Sequence, residues 1–200
     1  MTIPFSCSCG KTGGVVHDVA PDRGNHLICY CSDCQTAANV LGYQDTLDNW
    51  GGTTVFQTIP RNVEFERGQR YLACLRLSPK GMLRWYAGCC NAPLFNVLPN
   101  SRIAMTGLNM ARIAESDQAA FGPLAGVYSA KGAKNPPPDL KDRGIPKAFA
   151  LVFWRAVKAQ LRGDSAAPFF DANGQPVVTP RVLTLEERKA ARPGRGPISR

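Results

Sequence analysis

The chain has 200 residues, 44% hydrophobic and 20% charged, a balance that fits one soluble globular domain with appendages and excludes a disordered chain. No apolar run reaches the roughly 20 residues that cross a bilayer, and the start MTIPFSCSCG lacks the character of a signal peptide. The expected address is therefore the cytoplasm, with no membrane partner. Net charge is +9, but the last twenty residues hold six Lys or Arg against two Glu, and no Lys/Arg block interleaves with aromatics, so nucleic acid is not an expected partner.

Sixteen Pro and 19 Gly predict short strands, many turns and few helices. Cys7 and Cys9 read as same-face residues of a short strand that ends at the turn residue Gly10. Strands follow at Gly14 to His17 and Asn25 to Tyr30, then a short helix through QTAANVL, capped by Ser32 or Asp33 and stopped by Gly42. Gly51-Gly52 lacks the helix and Lys of a phosphate loop and reads as a turn. Further strands are expected at Thr54 to Ile59, Val63 to Glu66, Arg70 to Leu77, Met82 to Tyr86 and Leu94 to Leu98, with a hairpin turn at Ser78 to Gly81. Their regular spacing suggests an antiparallel sheet. Alternation sets Arg84 and Tyr86 on one face of their strand and Trp85 on the other, one face being core and the other a candidate border of a metal site.

The expected division is a zinc-binding domain over 1–134, a Pro-rich linker with a helical extension over 135–180, and a basic tail over 181–200. Within the extension, Phe149, Phe153, Val157 and Leu161 recur at helical spacing between Pro146 and Leu161, so this helix is expected to pack back on the sheet. Phe169 and Phe170 suggest an ordered wrap. Residues 190–200, with Ile198 as the one large apolar side chain, are expected to contribute nothing to folding.

Cysteine carries the chemistry. Eight Cys in a chain with no secretory signal are poor disulfide candidates and point to metal. Cys7 and Cys9 form C-S-C-G, Cys29, Cys31 and Cys34 form C-Y-C-S-D-C, and Cys74, Cys89 and Cys90 follow far downstream. Cys29 and Cys31 share a strand face, and the turn brings Cys34 back at a helix N-terminus, where a thiolate is favoured. Three sulfurs then converge. A closed structural zinc site normally takes four ligands, so the Cys7/Cys9 pair must recruit others, and the Cys89/Cys90 pair is the obvious source. Adjacent residues of a strand point oppositely, although a turn can aim both inward, and Cys90 is the favoured ligand of the two. Cys74, in the alternating YLACLRL, reads as a buried free thiol. His17 and His26 lie off ligand spacing and read as ordinary strand or loop residues.

The C-x-C-G, C-x-C-x-x-C and late C-x-x-P-L motifs (the last being Cys90 to Leu94) resemble the glutathione-dependent formaldehyde-activating enzyme family, which also contains the centromere protein V domain. The segments CYCSDCQTAANVLG, LDNWGGTTVFQT and YLACLRLSPKGMLRWYAGCCNAPLFN are similar to an uncharacterised bacterial branch of that superfamily. The resemblance implies a mainly β, Mss4-like β-tent with one closed structural zinc and one more open zinc. It places Cys7, Cys9 and Cys90 on structural ligands and Cys29, Cys31 and Cys34 on the catalytic-site ligands. It also leaves a gap, because the family's late C-x-x-C has Ala87 at its first position here. Cys89 or Cys74 can replace that ligand, or the site is weakened.

A zinc held by three thiolates has a net charge of −1 and a fourth position for an exogenous thiolate, which suits carbon-sulfur lyase chemistry on a small-molecule thiol–aldehyde adduct. Asp33 and Gln35 are candidates to orient the reacting group. The competing readings are a non-catalytic interaction module built on structural zinc and a thiol redox protein.

Overall fold

The computed structural model describes residues 1–163 and 167–194, and it is mainly β. Strands β1 (Ile3–Ser6), β2 (Gly13–Val16) and β5 (Val63–Arg67) form a small antiparallel sheet in the order β1-β2-β5. The larger sheet joins β3 (Asn25–Cys29), β4 (Thr53–Thr58), β6 (Leu72–Arg76), β7 (Leu83–Ala87), β8 (Ala92–Val97), β9 (Thr106–Asn109), β10 (Gly126–Tyr128) and β11 (Arg181–Val182). Its order is β10-β3-β4-β9-β8-β7-β6-β11. The expected antiparallel pairing holds through its middle, whereas both edges are parallel, β10 on β3 and β11 on β6.

Aromatic side chains from both sheets meet in one core. Phe5 of β1 stands edge-on to Phe65 at 5.3 Å and to Phe95 of β8 at 5.0 Å, so the small sheet covers the large one. Each such ring contributes about 2 kcal/mol by leaving water, and edge-to-face contact adds up to about 1 kcal/mol. Phe169, fully buried, closes the core against Trp85 and Phe95, both at 5.4 Å, which is the ordered wrap that its sequence suggested.

Helix α1 (Ser32–Leu41) sits on the large sheet because Ala37 and Leu41 pack with Leu75, Leu77 and Leu183. Gly42 stops it in the left-handed conformation, φ 75°, where a Cβ is disfavoured. The cap differs from expectation. Ser32 is the first helical residue, and Cys31, extended at φ −63° and ψ 148°, accepts the Cys34 N–H on its sulfur.

Helix α2 (Ile145–Leu161) forms where helical spacing predicted it, but its packing is the reverse of the expected one. Phe149, Phe153, Trp154 and Leu161 face solvent, and the buried residues are Ala148 and Ala159. Small side chains let the helix approach closely, and the Ala148 carbonyl accepts a hydrogen bond from Asn25 Nδ2 at 3.3 Å. Helix α3 (Leu185–Ala190) starts with a reciprocal cap between Thr184 and Glu187. After it, Ala191 is buried and its carbonyl accepts from Asn39 Nδ2 at 2.7 Å, so the chain beyond Lys189 docks on α1, contrary to expectation. Residues 195–200 of the expected tail lie outside the described residues. Among the described residues no helix is long and apolar enough to cross a membrane.

Candidate metal centres

Seven of the eight cysteines gather into two groups able to hold a metal ion, Cys7/Cys9/Cys89/Cys90 and Cys29/Cys31/Cys34, each with all its sulfurs within 4.8 Å of one another.

The four-sulfur group forms where two turns face each other. Cys7 and Cys9 lie just beyond β1 in a turn rather than in a strand, closed by the Gly10 N–H on the Cys7 carbonyl at 3.0 Å and by Cys7 N–H on Thr12 at 2.9 Å. Cys89 and Cys90 occupy the hairpin turn between β7 and β8, with Asn91 at φ 59°. A turn is free of strand alternation, which is why both sulfurs aim inward. Cys89 thus completes the group as fully as Cys90 does, at 3.4 Å from Cys9 and 3.8 Å from Cys7. A tetrahedral zinc with Zn–S bonds of about 2.3 Å sets its sulfurs about 3.8 Å apart, so the spacing fits such an ion. Ala87 and Cys74 are both core residues. Cys74 pairs with Trp85 across β6 and β7, and burial pushes its thiol up to about 12.

The three-sulfur group forms at one corner. Cys29 ends β3, Cys31 caps α1 and Cys34 sits in its first turn. Gln35 fixes that corner: its buried Nε2 donates to the carbonyls of Tyr30 and Gly132, each at 2.8 Å. Asp33 pairs instead with Arg188 of α3 at 3.3 Å. Both side chains expected to orient a reacting group are therefore committed elsewhere. Tyr128 was not anticipated. It pairs with Cys29 across β10 and β3, and burial together with the Cys29 charge pushes its phenol up.

In each group one sulfur is shifted toward its thiolate form. Hydrogen bonds from Cys29 and Cys31 pull Cys34 well down, with Arg84 adding to the effect, while the same sharing and burial push Cys29 up. Burial raises Cys90, but the backbone N–H groups of Cys9 and Ala92 and the thiols of Cys9 and Cys7 overcome it and hold Cys90 down at about 6.

Two buried arginines face these groups. Arg84 Nη1 lies 4.0 Å from Cys34 Sγ and donates to Asn96 at 3.2 Å. It stands on the opposite face of β7 from Trp85, as alternation predicted. Arg112 Nη1 donates to Ser8 at 2.6 Å inside the C-S-C turn, and its guanidinium covers the Tyr43 ring. The Tyr43 hydroxyl in turn donates to the Cys90 carbonyl at 3.0 Å. Arg84 and Arg112 are 6% and 8% exposed, each Nε finds no hydrogen-bond partner, and among the described residues neither pairs with a carboxylate. Nothing in the sequence marked Arg112, since burial of a loop arginine leaves no local pattern.

Neither histidine joins a group. His17 bonds Glu64 at 2.9 Å, and His26 bonds the Gly122 carbonyl at 2.7 Å. Gly51 and Gly52 form the expected turn, held by Asp48 Oδ1, which accepts from the Trp50 and Gly52 N–H groups.

A family model described as a family of unknown function, DUF6151, matches residues 1–180. Among solved structures, the crystal structure of a Rhodobacter sphaeroides protein, a structural-genomics target, is similar at 13% identity and a TM-score of 0.44, covering 64% of this chain and 100% of that one. No curated protein matches the chain.

Proposed function

The chain belongs to the DUF6151 family, and from that premise we propose a zinc protein with two unlike sites. Cys7, Cys9, Cys89 and Cys90 would close around a structural ion, and Cys29, Cys31 and Cys34 would hold a second ion that accepts an exogenous thiol. The observation that supports this most is the pair of buried arginines without carboxylates, one at each cysteine group. A buried cation with no carboxylate in contact costs several kcal/mol unless another charge offsets it; Asp45 lies within electrostatic reach of Arg112, and metal-bound thiolates would leave each site anionic beside its arginine. All-sulfur donors at tetrahedral spacing select zinc over harder ions. The resemblance to the formaldehyde-activating superfamily, with its Mss4-like fold, supports the same reading.

Zinc on the three-cysteine group would supply a fourth position that holds a substrate sulfur as thiolate. The protein's own residues would do the rest. Gln35 fixes the corner that presents the three sulfurs, Arg84 balances Cys34, and Tyr128 keeps its proton beside Cys29. The reaction is carbon-sulfur lyase chemistry on a thiol–aldehyde adduct. The adduct hydroxyl gives its proton to solvent, the carbonyl forms, and the C–S electron pair leaves with sulfur, without redox change.

Native mass spectrometry and an NMR assay of formaldehyde with glutathione or a simpler thiol test this. Two zinc ions per chain are expected, with Cys31→Ser losing one ion and all adduct turnover. Wild type with two ions and no turnover would leave the second reading, a non-catalytic interaction module. One observation favours that reading: the cavity lined by Cys34 and Arg84 is only about 30 Å³.

A further inference from the structure

Helix α2 leaves most of its apolar surface in water. Phe149, Phe153, Trp154 and Leu161 are between 60% and 83% exposed, on a helix that buries only two alanines. At 3.6 residues per turn, Phe149, Phe153, Val157 and Leu161 form one stripe, with Trp154 beside it and the exposed Lys147 and Lys158 along the Trp154 flank. A contiguous apolar face on this scale marks a binding surface. The charge around it is predominantly positive, with Asp18 and Asp22 of the β2–β3 loop as the acidic neighbours on the Trp154 flank. Between Lys131 and Arg162 there are eight Lys or Arg and two Asp, most of the chain's net +9, and α2 itself carries no acidic residue.

We propose that α2 docks the protein on an anionic lipid surface, lying flat with Phe149, Phe153, Trp154 and Leu161 in the acyl boundary and its lysines at the headgroups. Apolar residues on one side and Lys or Arg at the flank are the pattern of interfacial helices. The charge argues against the other occupants. A second copy on the same face would bring Lys147, Lys158 and Arg162 near their like-charged equivalents. Nucleic acid would engage the cations but has no use for a continuous stripe of Phe, Val and Leu. The expectation of no membrane partner rested on the lack of a spanning segment, which has no bearing on a helix lying in the interface plane. Phe149 touches the three-cysteine corner through its stack on Tyr128 at 6.4 Å, while the rest of the stripe stands apart from both metal sites.

Vesicle flotation of the full chain tests it, using phosphatidylcholine alone and phosphatidylcholine with a third phosphatidylglycerol. The expected result is binding to the anionic vesicles at least about tenfold tighter than to neutral ones, weakening with salt. A blue shift of tryptophan emission should accompany binding and vanish in Trp154→Phe, because Trp85 is already 1% exposed and Trp50 is packed against the Ile28, Tyr30 and Val127 cluster rather than on α2. The double variant Phe153→Ser/Leu161→Ser removes exposed side chains and leaves the Phe149–Tyr128 stack in place, so its circular dichroism should match wild type while vesicle binding falls at least about tenfold. The proposal is overturned if wild type ignores anionic vesicles, or if the folded double variant binds them as wild type does. It is equally overturned if wild type is a dimer that this variant makes monomeric, or if the face captures nucleic acid and no lipid.

Discussion

Cys90 and Cys74 are shifted in opposite directions within one molecule, and their surroundings decide their reactivity. Cys90 is half-buried in a turn whose N–H groups and thiols hold it at about 6, whereas burial alone lifts Cys74 to about 12. With zinc bound, Cys74 is the cysteine outside both metal groups, and its buried, raised thiol should resist iodoacetamide until the chain unfolds, as read by peptide mass mapping. The stability effects have opposite signs. Lowering Cys90 from 9.0 favours the fold fully above about pH 9, and that contribution declines with acidification and is gone below about 6. Raising Cys74 from 9.0 stabilises below about pH 9 and is lost as pH climbs through about 12. Urea unfolding of the zinc-loaded chain should therefore show a midpoint that falls as pH climbs from about 9 toward 12. Arg84 makes a second test. Arg84→Met removes the cation 4.0 Å from Cys34, and zinc affinity at the three-cysteine group should fall roughly ten- to a hundredfold in a chelator competition, with the four-cysteine site unchanged.

Among the elements, those with a local periodicity were legible. The C-x-C-x-x-C spacing located the β3–α1 corner, Gly42 its stop, and Ser78 to Gly81 the hairpin that joins β6 to β7. Strand β9 escaped because all four residues of TGLN are buried, so no alternation shows, and β10 and β11 are edge pieces of three and two residues. The helical pattern of α2 identified the helix but not its partner, since periodicity reports an apolar stripe without saying what covers it. Cys89 was undervalued for a similar reason: a strand pattern governs adjacent residues only while the strand lasts, and β7 ends at Ala87. Two variants probe packing at this scale. Phe95→Ala, which opens the ring cluster of Phe5, Phe65 and Phe169, should cost about 3–5 kcal/mol in chemical denaturation. Truncation after Lys189 removes buried Ala191 and the bond from Asn39, and should cost about 1–2 kcal/mol.

For the whole molecule, the four-cysteine group ties the first turn of the chain to the β7–β8 hairpin, 82 residues apart between Cys7 and Cys89. It thereby joins the small sheet to the large one, while the three-cysteine group secures only a local corner. Structural zinc in small domains supplies on the order of 10–16 kcal/mol, comparable to the net stability of a domain. Cys9→Ser should consequently unfold the chain, as followed by circular dichroism, whereas Cys31→Ser should leave it folded. That difference rests on both groups binding zinc with unequal numbers of protein sulfurs. Zinc X-ray absorption on the purified chain, with and without an added thiol, addresses it most directly. Two zinc ions averaging about three and a half sulfurs at about 2.3 Å are expected, rising to four when thiol is added. Four sulfurs on every ion without thiol, and no change with it, would contradict the open site, and a folded chain free of zinc would contradict both.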